Sequence, residues 1–215
     1  MKKIFAEFLG TSLLVSIVVG SGIMATNLSN DVGVQLLINT ISTVFGLYVL
    51  IQILGPISGA HFNPVVTLID LIQKRTSAPR FVQYVIAQVL GAISGAALAN
   101  AMFSHPLFET ATKVRGGGNQ YLGEIIATAG LILLINLMLA QVKTPLIPVT
   151  VAAWIGSAYF FTSSTSFANP AVTIGRIFSD SFAGIAPGCA PKFIAAQILG
   201  ALIGLGLTKV LTSDK

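Results

Sequence analysis

Two asparagines carry the most suggestive chemistry in this sequence, Asn63 followed by Pro64 and Val65, and Asn169 followed by Pro170 and Ala171. Asparagine is a preferred helix N-cap, and proline is favoured at the first helical position because its missing N–H would have had no partner there. Each motif therefore announces a helix start. A side-chain amide held at such a start can donate hydrogen bonds to a passing oxygen. The non-helical segments before the two boxes, Gly59 to Phe62 and Ser164 to Ala168, offer carbonyl acceptors. One Asn-Pro is a common turn dipeptide. Two copies with Val and Thr at the same spacing behind each Asn, Val66-Thr67 and Val172-Thr173, call for a common explanation.

What must position these groups follows from composition. Only 9% of the 215 residues are charged and 54% are hydrophobic, so the bilayer is the expected solvent. Six stretches reach the length and apolarity of a spanning helix, at about 4–24, 34–57, 81–103, 120–141, 146–163 and 192–211. The first imitates a secretory signal, with Lys2 and Lys3 ahead of an apolar run, but Glu7 interrupts it and it is read as the first membrane helix. The net charge of +5 comes from basic residues scattered singly between apolar runs, which argues against a nucleic-acid partner. With the amino terminus inside, Lys2, Lys3, Lys74, Arg75, Arg80, Lys143, Lys209 and Lys215 fall on the cytoplasmic side; Lys113, Arg115, Arg176 and Lys192 fall outside. Both termini are then cytoplasmic.

The chain also repeats itself. Glu7 and Thr11 are answered by Glu124 and Thr128, the first box by the second, and Gln88-Val89-Leu90-Gly91-Ala92 by Gln197-Ile198-Leu199-Gly200-Ala201, at offsets of 117, 106 and 109. The halves run over about 1–105 and 118–215 within one channel domain. Three spans separate the two boxes, so the repeat is inverted and the boxes start from opposite faces. Only about nine or ten helical residues follow each start, or ~14 Å, half of a ~30 Å core. Two such half-helices make one crossing if their amino ends meet at the midplane, where the positive ends of both dipoles repel cations. The expected fold is all-α: six transmembrane helices and two re-entrant half-helices.

At these residues the sequence resembles the aquaporin, or major intrinsic protein, family over nearly its whole length. The family pattern Ser-Gly-x-His-x-Asn-Pro stands as Ser58-Gly59-Ala60-His61-Phe62-Asn63-Pro64. The resemblance implies a homotetramer with one pore per subunit, both Asn-Pro boxes at the pore centre, and Glu7 and Glu124 bracing the half-helix loops. Interfacial charges are the plainer alternative for those glutamates, and their matched positions favour bracing. His61 is read as ordering its loop in preference to gating.

Two departures from the family bear on cargo. The first box ends in Val65, a mild change. The arginine usual after the second box is replaced by Val172. By resemblance the other three constriction positions are Thr43, Ser157 and Ser166, with one residue of slack at Ser157, and none of these is aromatic or charged. Four small side chains imply a wide filter that passes glycerol-like polyols as well as water. Arg176, one turn beyond Val172, is read as a favourable charge at a helix end or a snorkelling side chain, in preference to a substitute guanidinium. The run Thr165 to Thr173 with valine at the arginine position resembles a bacterial subgroup associated with arsenic-resistance operons. It adds arsenous acid or methylated arsenicals as expected solutes and a bacterial inner membrane as the expected location.

Other classes find less support. A secondary transporter of small polar solutes could share the inverted repeat, but no central coupling carboxylate is visible. His61, His105, Cys189 and the few acids show no nucleophile-base pattern, so no enzyme, metal or cofactor is expected. The polar linker ahead of Gly116-Gly117-Gly118 has no periodicity that places it.

Overall fold

The computed structural model describes residues 1–213. Lys215, assigned above to the cytoplasmic side, lies outside the described residues. Eight α-helices run through the described residues: α1 Lys2–Leu28, α2 Val32–Ser58, α3 Pro64–Ile72, α4 Ala78–Met102, α5 Gly118–Ala140, α6 Ile147–Phe161, α7 Pro170–Gly175 and α8 Ala190–Thr212. Among the described residues six helical segments are long and apolar enough to cross a membrane, α6 counting with the 3₁₀ turn Thr144–Leu146 that precedes it. Their outer surfaces carry exposed Leu, Ile, Val and Phe, as Phe45, Val82 and Leu207 do, which suits a lipid surround.

Helix ends follow local chemistry. The Asp31 carboxylate accepts from Val34 N–H at 2.9 Å to start α2, and Gly59 ends it at a φ of 95° that a side chain would resist. The short helices differ in length. α3 has nine residues, as expected. α7 has six and tightens into a 3₁₀ turn over Arg176–Phe178, where Gly175 packs so closely on α4 that a Cβ would stand 2.7 Å from the Ala92 carbonyl.

Packing repeats between the halves. α1 lies against α4 and α2, α5 lies against α8 and α6, and α2 meets α6 across the middle. A Cβ on Gly91 or Gly95 of α4 would strike the carbonyls of Phe8 and Ser12 on α1; one on Gly200 or Gly204 of α8 would strike Ile125 and Ala129 on α5. In lipid, where no hydrophobic force drives helices together, this small-residue approach is what lets backbones interlock.

The linker that the sequence left unplaced is pinned. Glu109 and Ala111 donate backbone N–H bonds to Phe178 and Ile177 (3.2 and 2.8 Å), and the Lys113 carbonyl accepts from Ala186 at 2.8 Å. Backbone pairing with a distant segment supplies the order that composition lacked.

Candidate functional site

The two asparagines meet in the middle of the bundle. Each Oδ1 caps its own half-helix, Asn63 accepting from Val65 N–H at 3.0 Å and Asn169 from Ala171 N–H at 2.9 Å. Each Nδ2 then crosses to the other half. Asn63 donates to the Ala168 carbonyl and Asn169 to the Phe62 carbonyl, both at 2.8 Å. A primary amide has two N–H donors, so one remains on each asparagine. The backbone before each box is left-handed at matched places, with φ of 49° at both Ala60 and Phe62, and 49° and 48° at Ser166 and Ala168. That curl turns successive carbonyls and N–H groups to opposite sides.

The N–H groups of these curls run into buried carboxylates. Glu7, fully buried, accepts from Ser58 Oγ (2.6 Å), His61 N–H (3.0 Å), Phe62 N–H (2.7 Å) and Gln88 Nε2 (2.8 Å). Glu124, also fully buried, accepts from Phe167 N–H and Ala168 N–H (2.9 Å each) and Gln197 Nε2 (2.7 Å). Gln88 and Gln197 also reach Thr67 and Thr173 (3.0 and 2.9 Å), whose hydroxyls donate to the Asn63 and Asn169 carbonyls. A carboxylate buried at this depth is tolerable because nearly every lone pair finds a donor. These glutamines and threonines were visible in the sequence as repeat partners without an assigned role.

A cavity of 290 Å³ runs past both asparagines. Its apolar wall includes Leu14, Leu47, Val66, Leu131 and Ile155. Its polar side is made of few groups, as a path for hydroxylated solutes requires. Thr43, Ser166 and Val172 line it. The Ser166 hydroxyl is buried without a hydrogen-bond partner.

Ser157 does not belong to this wall. It is exposed on the outside of α6, while Tyr159, only 3% exposed, turns inward. The cavity lining therefore has an aromatic ring from α6 where the small Ser157 side chain was expected. Tyr159 Oη lies 3.3 Å from Thr43 Oγ1.

Arg176 is not a snorkelling side chain. It is 3% exposed and lines the cavity, with Nε donating to the Ala183 carbonyl and its guanidinium 3.4 Å from the Phe167 ring centroid. Its two Nη groups have no protein acceptor among the described residues.

At the other end of the cavity, His61 Nδ1 lies 3.0 Å from Thr67 Oγ1 and Nε2 lies 3.2 Å from Asp70 Oδ2. Asp70 also pairs with Arg75, and Arg75 Nη1 donates to Asn136 Oδ1 on α5 at 2.9 Å. Asp70 and Arg75 both line the cavity, and neither the acid nor its bridge to the second half was assigned from sequence.

Comparison with known proteins gives one consistent family. A model described as Major intrinsic protein matches residues 1–166. The chain is 48% identical over 210 residues to the aquaglyceroporin AqpS of Rhizobium meliloti (strain 1021), covering 97% of this chain and 89% of that protein. It is 44% identical over 70 residues to aquaporin NIP1-2 of Arabidopsis thaliana, covering 32% of this chain and 22% of that one. The X-ray structure of the aquaglyceroporin from Plasmodium falciparum superposes with a TM-score of 0.70 at 19% identity, covering 99% of this chain and 97% of that chain, which is a likeness of fold.

Proposed function

The chain belongs to the major intrinsic protein family and is a multi-pass membrane channel for small solutes, not an enzyme; from that premise we propose that it conducts water and glycerol-like polyols passively while excluding protons and ions at its paired Asn-Pro boxes. The observation that carries this reading is the pair of crossed bonds, Asn63 to Ala168 O and Asn169 to Phe62 O, beside a continuous cavity. Each asparagine keeps one N–H for a passing oxygen. A water that accepts from both sites has its lone pairs committed, so a proton wire through it is interrupted. The facing amino ends of α3 and α7 add a positive potential that opposes hydronium.

For cargo, the filter supplies an apolar and aromatic side at Val172 and Tyr159 and hydroxyls at Thr43 and Ser166. A polyol presents that same pairing, carbon on one edge and oxygen on the other. Arsenous acid, an uncharged triol-like molecule at neutral pH, displays hydroxyls similarly and belongs to the same solute class, as do methylated arsenicals in their neutral forms. Glu7 and Glu124 brace the two loops, and His61 orders the first. We place the protein in the bacterial inner membrane with both termini cytoplasmic, as a homotetramer.

Stopped-flow light scattering on proteoliposomes tests the reading, with water, glycerol and arsenous acid as solutes and Val172→Arg as the variant. Native vesicles should pass all three, and the variant should keep water and lose the larger two. Native vesicles that pass water alone would refute the solute assignment.

A further inference from the structure

Three cations gather around the carbonyls of residues 182–184 beside α7 with no direct ion pair among them, and Arg176 is the one that lines the cavity. The Arg176 Nη groups have no protein acceptor among the described residues. Arg115, 7% exposed, comes from the segment before α5 and donates through Nε to the Gly184 carbonyl (2.8 Å) and through Nη2 to the Phe182 carbonyl (3.1 Å). Its guanidinium lies 5.1 Å from the centroid of Phe167, the ring that also carries Arg176. Lys113 donates to the Phe182 carbonyl at 3.0 Å and sits 4.6 Å over the Phe182 ring.

No direct ion pair is formed with any of them among the described residues, although the Glu124 carboxylate lies near enough to act on both arginines. The ion pairs among the described residues are His61–Asp70, Arg75–Asp70 and His105–Glu109. Asp180, the acid in the facing segment, is committed to Thr112 through N–H (2.9 Å) and Oγ1 (3.0 Å). Glu124 is filled by two backbone N–H groups and Gln197. Buried guanidinium groups ordinarily find a carboxylate or phosphate partner. Here they find three successive carbonyls and a ring face, which hold the groups in place and leave them without a directly paired carboxylate.

We propose that Arg115, Arg176 and Lys113 form a binding site for a small oxyanion at this mouth of the pore, the Arg176 fork taking two anion oxygens. The proposal rests on the channel reading and extends it from neutral solutes to weak oxyacids. The anion of such an acid gathers at the mouth, and its neutral form is what the crossed asparagines admit. An anion that stays charged binds and plugs.

Inorganic sulfate is the probe, because it presents the oxygens and stays charged. Glycerol flux into proteoliposomes of the full chain is measured with sulfate on both sides at low ionic strength, against chloride at equal ionic strength. Sulfate should slow glycerol in the native channel. Lys113→Gln, which leaves glycerol flux in chloride unchanged, should raise the half-blocking sulfate concentration about two- to fivefold, the size of one exposed charge pair. Arg115→Gln should raise it further, and salt near 0.15 M should weaken the block in the native chain. Glycerol flux that sulfate does not slow, or a block that Lys113→Gln leaves unchanged, overturns the anion site alone. Native vesicles without glycerol flux overturn the channel reading beneath it.

Discussion

Tyr159 Oη and Thr43 Oγ1 lie 3.3 Å apart as neighbours on the cavity lining, so one side of the path is formed by a phenol. Removing that ring should enlarge the path. Tyr159→Ala is expected to admit four- and five-carbon polyols that the native channel holds back, whereas Ser157→Ala, on an exposed position, should leave every flux unchanged. Stopped-flow measurements with glycerol, erythritol and ribitol check this; a size limit that responds to Ser157 and not to Tyr159 would place the constriction elsewhere.

Glu7 has four donors on its carboxylate and Glu124 three, the difference being Ser58 Oγ. A glutamine at either place turns an NH₂ toward backbone N–H groups, and each lost bond to a charged acceptor is worth about 1.5–3 kcal/mol. Glu7→Gln should therefore destabilise more than Glu124→Gln. Thermal unfolding of the purified variants in detergent reads the order, and a reversed order would mean that the two loops are not held alike.

Gly95 and Gly204 sit against the carbonyls of Ser12 and Ala129, while Gly206 of the same α8 has nothing within 4 Å of an added Cβ. Leucine at 95 or 204 must push two helices apart, at about 3 kcal/mol or more. Gly206→Leu should be tolerated. The yield of monodisperse protein separates the two outcomes.

Thr165 holds a left-handed backbone, φ 61°, at the place where the first half has Gly59 at 95°. A β-branched residue there costs about 1–3 kcal/mol, and Thr165→Gly returns part of it. A melting temperature above the native value, with glycerol flux retained, is the expected result.

Lys113 is held down to about 8 by its partial burial and by the neighbouring Arg115 and Arg176. Arg115 is lowered to about 10, chiefly by burial. Below pH 8 the ammonium is charged and the mouth keeps its full positive potential; above pH 8 it loses one charge. The sulfate block should therefore weaken as pH rises from 7 to 9, and Lys113→Gln should flatten that profile. The groups facing Lys113 are the two arginines and Asp180 through Thr112.

Much of this could be read directly from the chain, because the signals were local or repeated at a fixed offset. A helix start needs only its Asn and Pro, and a membrane span needs only its run of apolar side chains, so Asn63, Asn169 and the six long helices follow without tertiary information. The repeat paired Glu7 with Glu124 and Gln88 with Gln197. Phase and long-range contact were not local. Counting back from Asn169 assumes a fixed path through Thr162–Ala168, and two residues along a helix turn a side chain by about 200°. That is enough to exchange Ser157 for Tyr159 at the pore wall. Arg115 and Arg176 could not be brought together from sequence, since the carbonyls that aim them, Phe182 to Gly184, become neighbours only when the linker before α5 is strapped across the mouth. The sequence alone determined which groups the channel carries and which helices start or cross; the tertiary structure decided which side chains face the solute, because that depends on helix rotation and on contacts between segments far apart in the chain.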